Sequence, residues 1–337
     1  MATFIIRRII WTIPVILLVI FMTFVMMKQI GGNPFRKTER NVPPAIQANL
    51  ERKFNLDKPW WQQYAYYVKD VATFDLGPSM SQRTRTVNDI IKDGFPKSLK
   101  LGILAFLWAV VLGIPLGVLA ALKPNSIFDY FAMFFSTIGF ALPSFFVATL
   151  LIYYVALKSG LVPTNGWPQG FFQFDNRIIL PSFALGLFPM AYFARLVRGS
   201  MLETMQQDYV RTARAKGAGE WRVLRKHVLR NAMLPVVAML SMDMIVISLT
   251  GVIFIETVYQ LPGIGTTLYQ ALRTFDMPII LGVVVVLCIV VTVINMVADI
   301  LYSLIDPRLN LRGPRRQRSW GLGRLRPEPV RETATEG

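Results

Sequence analysis

Six apolar runs lie between charged residues along this chain. Arg8 to Lys28 encloses 19 uncharged residues, Lys100 to Lys123 encloses 22, and Asp129 to Lys158 encloses 28. Arg177 to Arg195 encloses 17, Arg230 to Glu256 encloses 25 of which only Asp243 is charged, and Asp276 to Asp299 encloses 22. A helix needs about 20 apolar residues to cross the hydrocarbon, so each run predicts one crossing, the fourth narrowly. Pro143 in the third run and Pro181 and Pro189 in the fourth predict kinks, read either as static bends or as joints of a moving pathway. Within the second run, Gly113-Ile114-Pro115-Leu116-Gly117 has the glycine spacing that permits close helix approach.

The polar segments divide the chain further. After the first run a polar region extends to about Lys97, with turn signals at Gly32-Asn33-Pro34 and Phe74-Asp75-Leu76-Gly77-Pro78. Between them Trp60, Trp61, Tyr64, Tyr66 and Tyr67 cluster, as a small packed subdomain, an interfacial aromatic belt or a surface for an external partner. After the fifth run, Pro262-Gly263-Ile264-Gly265 marks a turn. Leu268, Ala271, Leu272 and Phe275 then repeat at helical spacing, which predicts a short amphipathic helix at the interface. The tail after Asp306-Pro307-Arg308 is rich in Arg, Pro and Gly and reads as disordered. The division is therefore 1–98, first crossing and loop region; 99–306, a core of five crossings; and 307–337, a basic tail.

One polar segment differs from the rest. Asp208 to Pro235, between the fourth and fifth runs, reads as two short helices broken at Gly217. The first carries the small residues Thr212, Ala213 and Ala215. The second places Trp221, Leu224 and Val228 on one face, with Arg222, Lys226 and Arg230 away from it. Such a pair between two crossings predicts a docking platform rather than a simple turn.

Composition supports the membrane reading: 53% of the 337 residues are hydrophobic and the mean hydropathy is +0.45. The net charge of +16 is concentrated in Asp208–Pro235 and the tail, which the positive-inside rule places in the cytoplasm, as it does the N-terminus through Arg7 and Arg8. Anionic lipid and cytoplasmic partners account for the basic excess without nucleic acid. The first run exceeds a signal-peptide core and no small-x-small site follows it, so it is expected to remain as an anchor. Cys288 is the lone cysteine and His227 the lone histidine, so neither an intrachain disulfide nor a histidine metal cluster can form. No phosphate-binding Gly-x4-Gly-Lys loop, zinc-protease His-Glu-x-x-His or nucleophile elbow is present, which disfavours an enzyme and predicts no ATP hydrolysis by this chain. Asp243 and Asp299 are the ionisable residues expected within the crossings, and Asn295 shares a helix face with Asp299 one turn away. They fit interhelical hydrogen bonding or, in a proton-driven transporter, a relay.

From Asp208-Tyr209-Val210-Arg211-Thr212-Ala213-Arg214-Ala215-Lys216-Gly217 onward the chain resembles permeases of the ATP-binding-cassette importers, in particular the B-type subunit of the dipeptide/oligopeptide branch, which also includes nickel and glutathione permeases. Arg211-Thr212-Ala213 stands where the general Glu-Ala-Ala motif would, and Leu234-Pro235 follows. Further matching segments are Leu56-Asp57-Lys58-Pro59, Asp75-Leu76-Gly77 with Ser79, Gly113 to Gly117, Arg195 with Arg198, Ser200-Met201-Leu202-Glu203, Glu256-Thr257, Pro262 to Gly265 and Asp306-Pro307-Arg308. The resemblance implies an all-α integral membrane protein of six transmembrane helices, a type I importer domain in the bacterial inner membrane. It implies a coupling loop at about 199–231 that docks on a cytoplasmic ATPase. Asp208, Tyr209, Arg211, Thr212, Ala213, Ala215, Gly217, Trp221 and Leu224 would form that element, and Arg195, Asn295 and Asp299 would line or stabilise the pathway. The implied partners are a second permease, two ATP-binding subunits that hold the ATP and magnesium, an extracytoplasmic binding protein and membrane lipid. No cofactor is implied in this chain.

Overall fold

The computed structural model describes residues 2–30, 49, 52, 54–82, 84–164, 166–168, 170, 175–242 and 244–305. The expectations for Gly32-Asn33-Pro34, Asp243, Asp306-Pro307-Arg308 and the 307–337 tail fall outside them. Among the described residues helix dominates, and the one strand-like feature is an isolated bridge between Pro78 and Thr86. The first helices are α1 (Ala2–Ile30), α2 (Trp60–Ala72) and α3 (Val87–Leu122, with a π turn at Ala109–Gly113). Next come α4 (Ile127–Ala141), α5 (Ser144–Lys158) and α6 (Ile179–Met205). Two short elements follow, α7 (Asp208–Ala215) and α8 (Glu220–Val223, widening into a π turn over Leu224–Leu229). The last four are α9 (Arg230–Met242), α10 (Met244–Val258), α11 (Ile264–Thr274) and α12 (Met277–Ile305).

Among the described residues, four helical stretches are long and apolar enough to cross a bilayer: Ile10–Gln29, Val87–Leu122, Asn176–Met205 and Met277–Val297. They fall on the first, second, fourth and sixth runs. The third run is sharply bent rather than straight: α4 and α5 meet at 110°, as a broken span or a re-entrant loop. Pro143 explains the corner. Its nitrogen carries no hydrogen to continue the helix, and its ring drives Leu142 into extended backbone at φ −90° and ψ 132°. The fifth run is helical on both sides of position 243.

The polar region is also shorter than expected. α3 begins at Val87, where Thr86 and Asp89 form a reciprocal capping box. Val87, Ile90, Gly94, Ser98 and Leu101 are buried along one face. Lys92 and Asp93, which read as loop, are the exposed side of these first turns. The aromatic cluster folds as α2 against α1. The Tyr64 ring packs edge-on to Phe21 and Phe24, and its hydroxyl donates to the Leu17 carbonyl at 3.0 Å.

The central helix is α6: 61% of its apolar stretch is buried, against 17% for α1. Glycines permit this. A Cβ on Gly117 would lie 2.5 Å from the Ala194 carbonyl oxygen, one on Gly113 would lie 2.6 Å from that of Met190, and one on Gly186 would lie 2.5 Å from that of Ala105. The glycine pair of α3 is thus a backbone contact with α6. Three apolar clusters complete the packing. Leu101, Ala148, Leu185 and Ile255 join α3, α5, α6 and α10. Phe193, Met201, Val210, Val228 and Val236 join α6 to α7, the π turn and α9. Val87, Leu268, Ala271 and Ile279 join α3, α11 and α12.

Candidate coupling site

The segment from Asp208 folds as two short helices around a fixed turn. Asp208 stands in the first turn of α7, where a carboxylate favours the exposed N–H groups, and the Thr212 hydroxyl donates to the Asp208 carbonyl at 2.9 Å. The helix ends in a full Schellman closure. The Gly217 N–H donates to the Arg214 carbonyl at 2.9 Å, and the Ala218 N–H to the Ala213 carbonyl at 3.2 Å. The closure requires left-handed backbone at Gly217, whose φ is +78°. A Cβ there would meet nothing within 4 Å, so a side chain is opposed by the dihedral alone, about 1–2 kcal/mol. Across the turn, Arg214 grips Glu220 with both arms, Nε to Oε1 at 2.9 Å and Nη2 to Oε2 at 3.2 Å.

Three valines anchor the element. Val210, Val223 and Val228 are each 0–1% exposed and join the α6–α9 cluster. This corrects the face expected for the second helix. Trp221 does not share the buried side with Val228 but is 73% exposed. The π turn causes the change: its wider pitch brings positions five apart, Val223 and Val228, onto the same face, and turns Trp221 out. Leu224 is half-buried beside them. Ala213 packs against the cluster, whereas Thr212, Ala215 and Gly217 are exposed. Tyr209 accepts at its hydroxyl from Asn231 Nδ2 at 3.1 Å, and Arg211 lies 3.7 Å from Asp208 on the open surface. A cleft of about 240 Å³ opens between Leu122, Met205, Arg214, Glu220, Trp221 and Leu224. The outward surface is thus rigid, basic and tipped with one large aromatic, a combination that suits a protein partner.

Comparison with known proteins gives this geometry its context. The family described as binding-protein-dependent transport system inner membrane component matches residues 113–311, and the N-terminal component of the same systems matches residues 1–102. The chain belongs to this family. It is 40% identical over 312 residues to the dipeptide transport system permease protein of Bacillus subtilis, covering 92% of this chain and 99% of that one. It is 40% identical over 309 residues to the oligopeptide transport system permease protein of Salmonella typhimurium, with the same coverage. The dipeptide transport system permease protein of Escherichia coli is 36% identical over 337 residues, again covering 92% and 99%.

Elsewhere in the permease, Arg195 lies on the exposed side of α6, about 24 Å from the Ile179 end and about 15 Å from the Met205 end. Its guanidinium sits 5.4 Å from the Phe140 ring centre and donates to the Thr137 hydroxyl at 3.5 Å, both on α4. A cation facing lipid at such depth would cost about 2.5–3.5 kcal/mol, so this face is suited to water or protein. Nearer the coupling segment, Arg198 holds Asp129 at the start of α4, Nε to Oδ1 at 2.5 Å and Nη2 to Oδ2 at 2.6 Å. Asn295 is half-buried on α12, which packs on α1, α9 and α11. Asp299 is in the same helix, with its side chain outside the described residues. Among the described residues no hydrogen bond joins Arg195 to Asn295.

Two buried carboxylates at the opposite end have a capping role that the sequence reading did not assign. Glu256, 1% exposed, accepts from the Ser98 hydroxyl, from the Gly265 N–H at 2.8 Å and from the Thr266 N–H at 3.2 Å. It caps α11, and a Cβ on Gly263 or Gly265 would collide with its oxygens at 2.0 and 2.9 Å. Asp276, fully buried, accepts from the Ser79 hydroxyl at 2.6 Å and from the Ser81 N–H at 2.8 Å, tying the segment before α3 to α12. The signal was present in Glu256 followed by Gly263-x-Gly265, but only the fold shows which donors those glycines expose.

Proposed function

We propose that this permease forms, with a second homologous permease, the translocation pathway of an ATP-driven peptide importer of the type I architecture. The observation that carries the proposal is the α7–α8 element: two helices locked by a Schellman turn, anchored by three buried valines and presenting Trp221 on a basic surface. In a family of binding-protein-dependent transporters, that element is the natural dock for a cytoplasmic ATPase. Asp208, Tyr209, Arg211, Thr212, Ala213, Ala215, Gly217, Trp221 and Leu224 belong to it. The relatives named for dipeptide and oligopeptide transport, at 36–40% identity over 92% of this chain, support the peptide class.

The mechanism follows from the connections. Two ATP-binding subunits hold ATP and magnesium and supply the closing motion. Val210, Val223 and Val228 transmit it, because they bind α7 and the π turn to the α6–α9 cluster as one unit. Through Arg198–Asp129 the motion also reaches α4. Arg195 and the face around it then line the path for cargo delivered by an extracytoplasmic binding protein, and Asn295 and Asp299 support it from α12. The Asp208–Leu229 end lies in the cytoplasm with both termini, in the bacterial inner membrane, as its positive charge favours. The chain contributes no catalytic residue of its own.

The energy source separates this account from a proton-driven carrier. Uptake of a labelled dipeptide into cells bearing the complete set of subunits is expected to fall to background when the ATP-binding partners are deleted. It should persist when a protonophore collapses the proton gradient while ATP is maintained by fermentation. The reverse pattern would make the permease a secondary transporter.

A further inference from the structure

We infer that Arg195 is a carboxylate-recognition site within the permease, taking the C-terminal carboxylate of the peptide in transit. The inference rests on the importer reading above and adds to it which group of the cargo is held, and by what.

The local geometry favours a carboxylate. An arginine guanidinium offers five N–H donors in a planar fork that matches a carboxylate in two-point contact. Among the described residues one of those donors is engaged, in the 3.5 Å approach to the Thr137 hydroxyl. Among the described residues no carboxylate lies within ion-pair distance of Arg195, whereas its neighbour Arg198 is doubly bonded to Asp129. The two arginines of α6 therefore have different tasks: Arg198 is structural, and Arg195 keeps its fork available. The Phe140 ring, 5.4 Å from the guanidinium, shields one side of it from water, which strengthens a charge-assisted bond.

The flanking surface suits the rest of a peptide. Phe140 packs on Phe188 of α6 at 4.6 Å between ring centres, and Phe140 is 46% exposed. An aromatic ledge thus adjoins the cation where α4 meets α6. A carboxylate on the fork places the last side chain of a peptide over these rings. The contact must also release its cargo, and a single exposed arginine, whose neighbour Arg198 is neutralised by Asp129, meets that requirement.

The test compares two cargoes in one system. Uptake of a labelled tripeptide with a free C-terminus and of the same peptide C-amidated is measured with wild type, Arg195→Gln and Arg195→Lys, each rate divided by the wild-type rate for that cargo. This division removes the binding protein's own preference. The expected result is about a tenfold loss for the free carboxylate in Arg195→Gln, the factor for one charge-assisted hydrogen bond, with a clearly smaller loss for the amidated cargo and partial rescue by Lys. Equal loss for both cargoes, with less second permease co-purified, would make Arg195 an interface residue and overturn the inference. Unchanged rates for both would also overturn it. Absence of peptide uptake by the wild-type assembly would instead remove the importer reading itself.

Discussion

Gly217→Pro is expected to reduce ATP-driven uptake by about two orders of magnitude while the chain still inserts in the membrane. Proline fixes φ near −65°, whereas this position is at +78°. It also removes the N–H that closes on Arg214. The two losses together cost roughly 3 kcal/mol locally, which converts to about a hundredfold. The damage is confined to the turn, because Gly217 is exposed and no apolar cluster contains it. Gly217→Ala keeps the N–H and carries only the dihedral cost, so it should show a smaller deficit. Arg211→Glu reverses a charge on the exposed surface beside Asp208, and it should weaken docking with insertion unaffected. Membrane level by immunoblot and uptake rate are the readouts. Wild-type uptake in both Gly217→Pro and Arg211→Glu would remove the coupling role.

Glu256→Ala is expected to give the largest loss of stability among single changes at the opposite end. The carboxylate satisfies the Ser98 hydroxyl and two N–H donors at the start of α11, and removing it strands the Gly265 and Thr266 N–H groups in a site that is 1% exposed. Leaving buried donors unpaired costs about 1–3 kcal/mol each, so a total of roughly 2–6 kcal/mol follows for the two, toward the lower bound where water enters the space. The thermal midpoint in detergent should fall by several degrees. Glu256→Gln retains one acceptor of the same shape and should fall less. Equal midpoints for wild type and Glu256→Ala would show that α11 is held by its apolar face alone, through Leu268 and Ala271.

How far the chain could be read follows from which forces act locally. Apolar runs and the positive φ at a lone glycine are local properties, so four of the crossings and the break at Gly217 were visible. Pro143 was visible as a kink, but the 110° corner depends on where α6 and α10 allow α5 to lie. The first turns of α3 were hidden because Lys92 and Asp93 mask a buried face whose partners, Ile264 and Ile279 among them, are nearly 200 residues away. Trp221 was misplaced because a helical wheel assumes an even pitch, and the π turn after Val223 breaks it. Glu256 and Asp276 looked like the ends of runs, and their donors come from Ser98, Ser79 and Ser81, remote in sequence.

The central claim is that Asp208–Leu229 docks on an ATPase, and co-purification tests it most directly. The tagged chain, expressed with its partner subunits, is drawn from detergent-solubilised membranes and the eluate assayed for ATP hydrolysis and for its protein content. Wild type should bring down a second permease and ATP-hydrolysing subunits. A double variant, Val210→Asp with Trp221→Ala, should retain the second permease and lose the ATPase. Full ATPase recovery with that variant, or a wild-type chain that elutes alone yet supports uptake, would contradict the account.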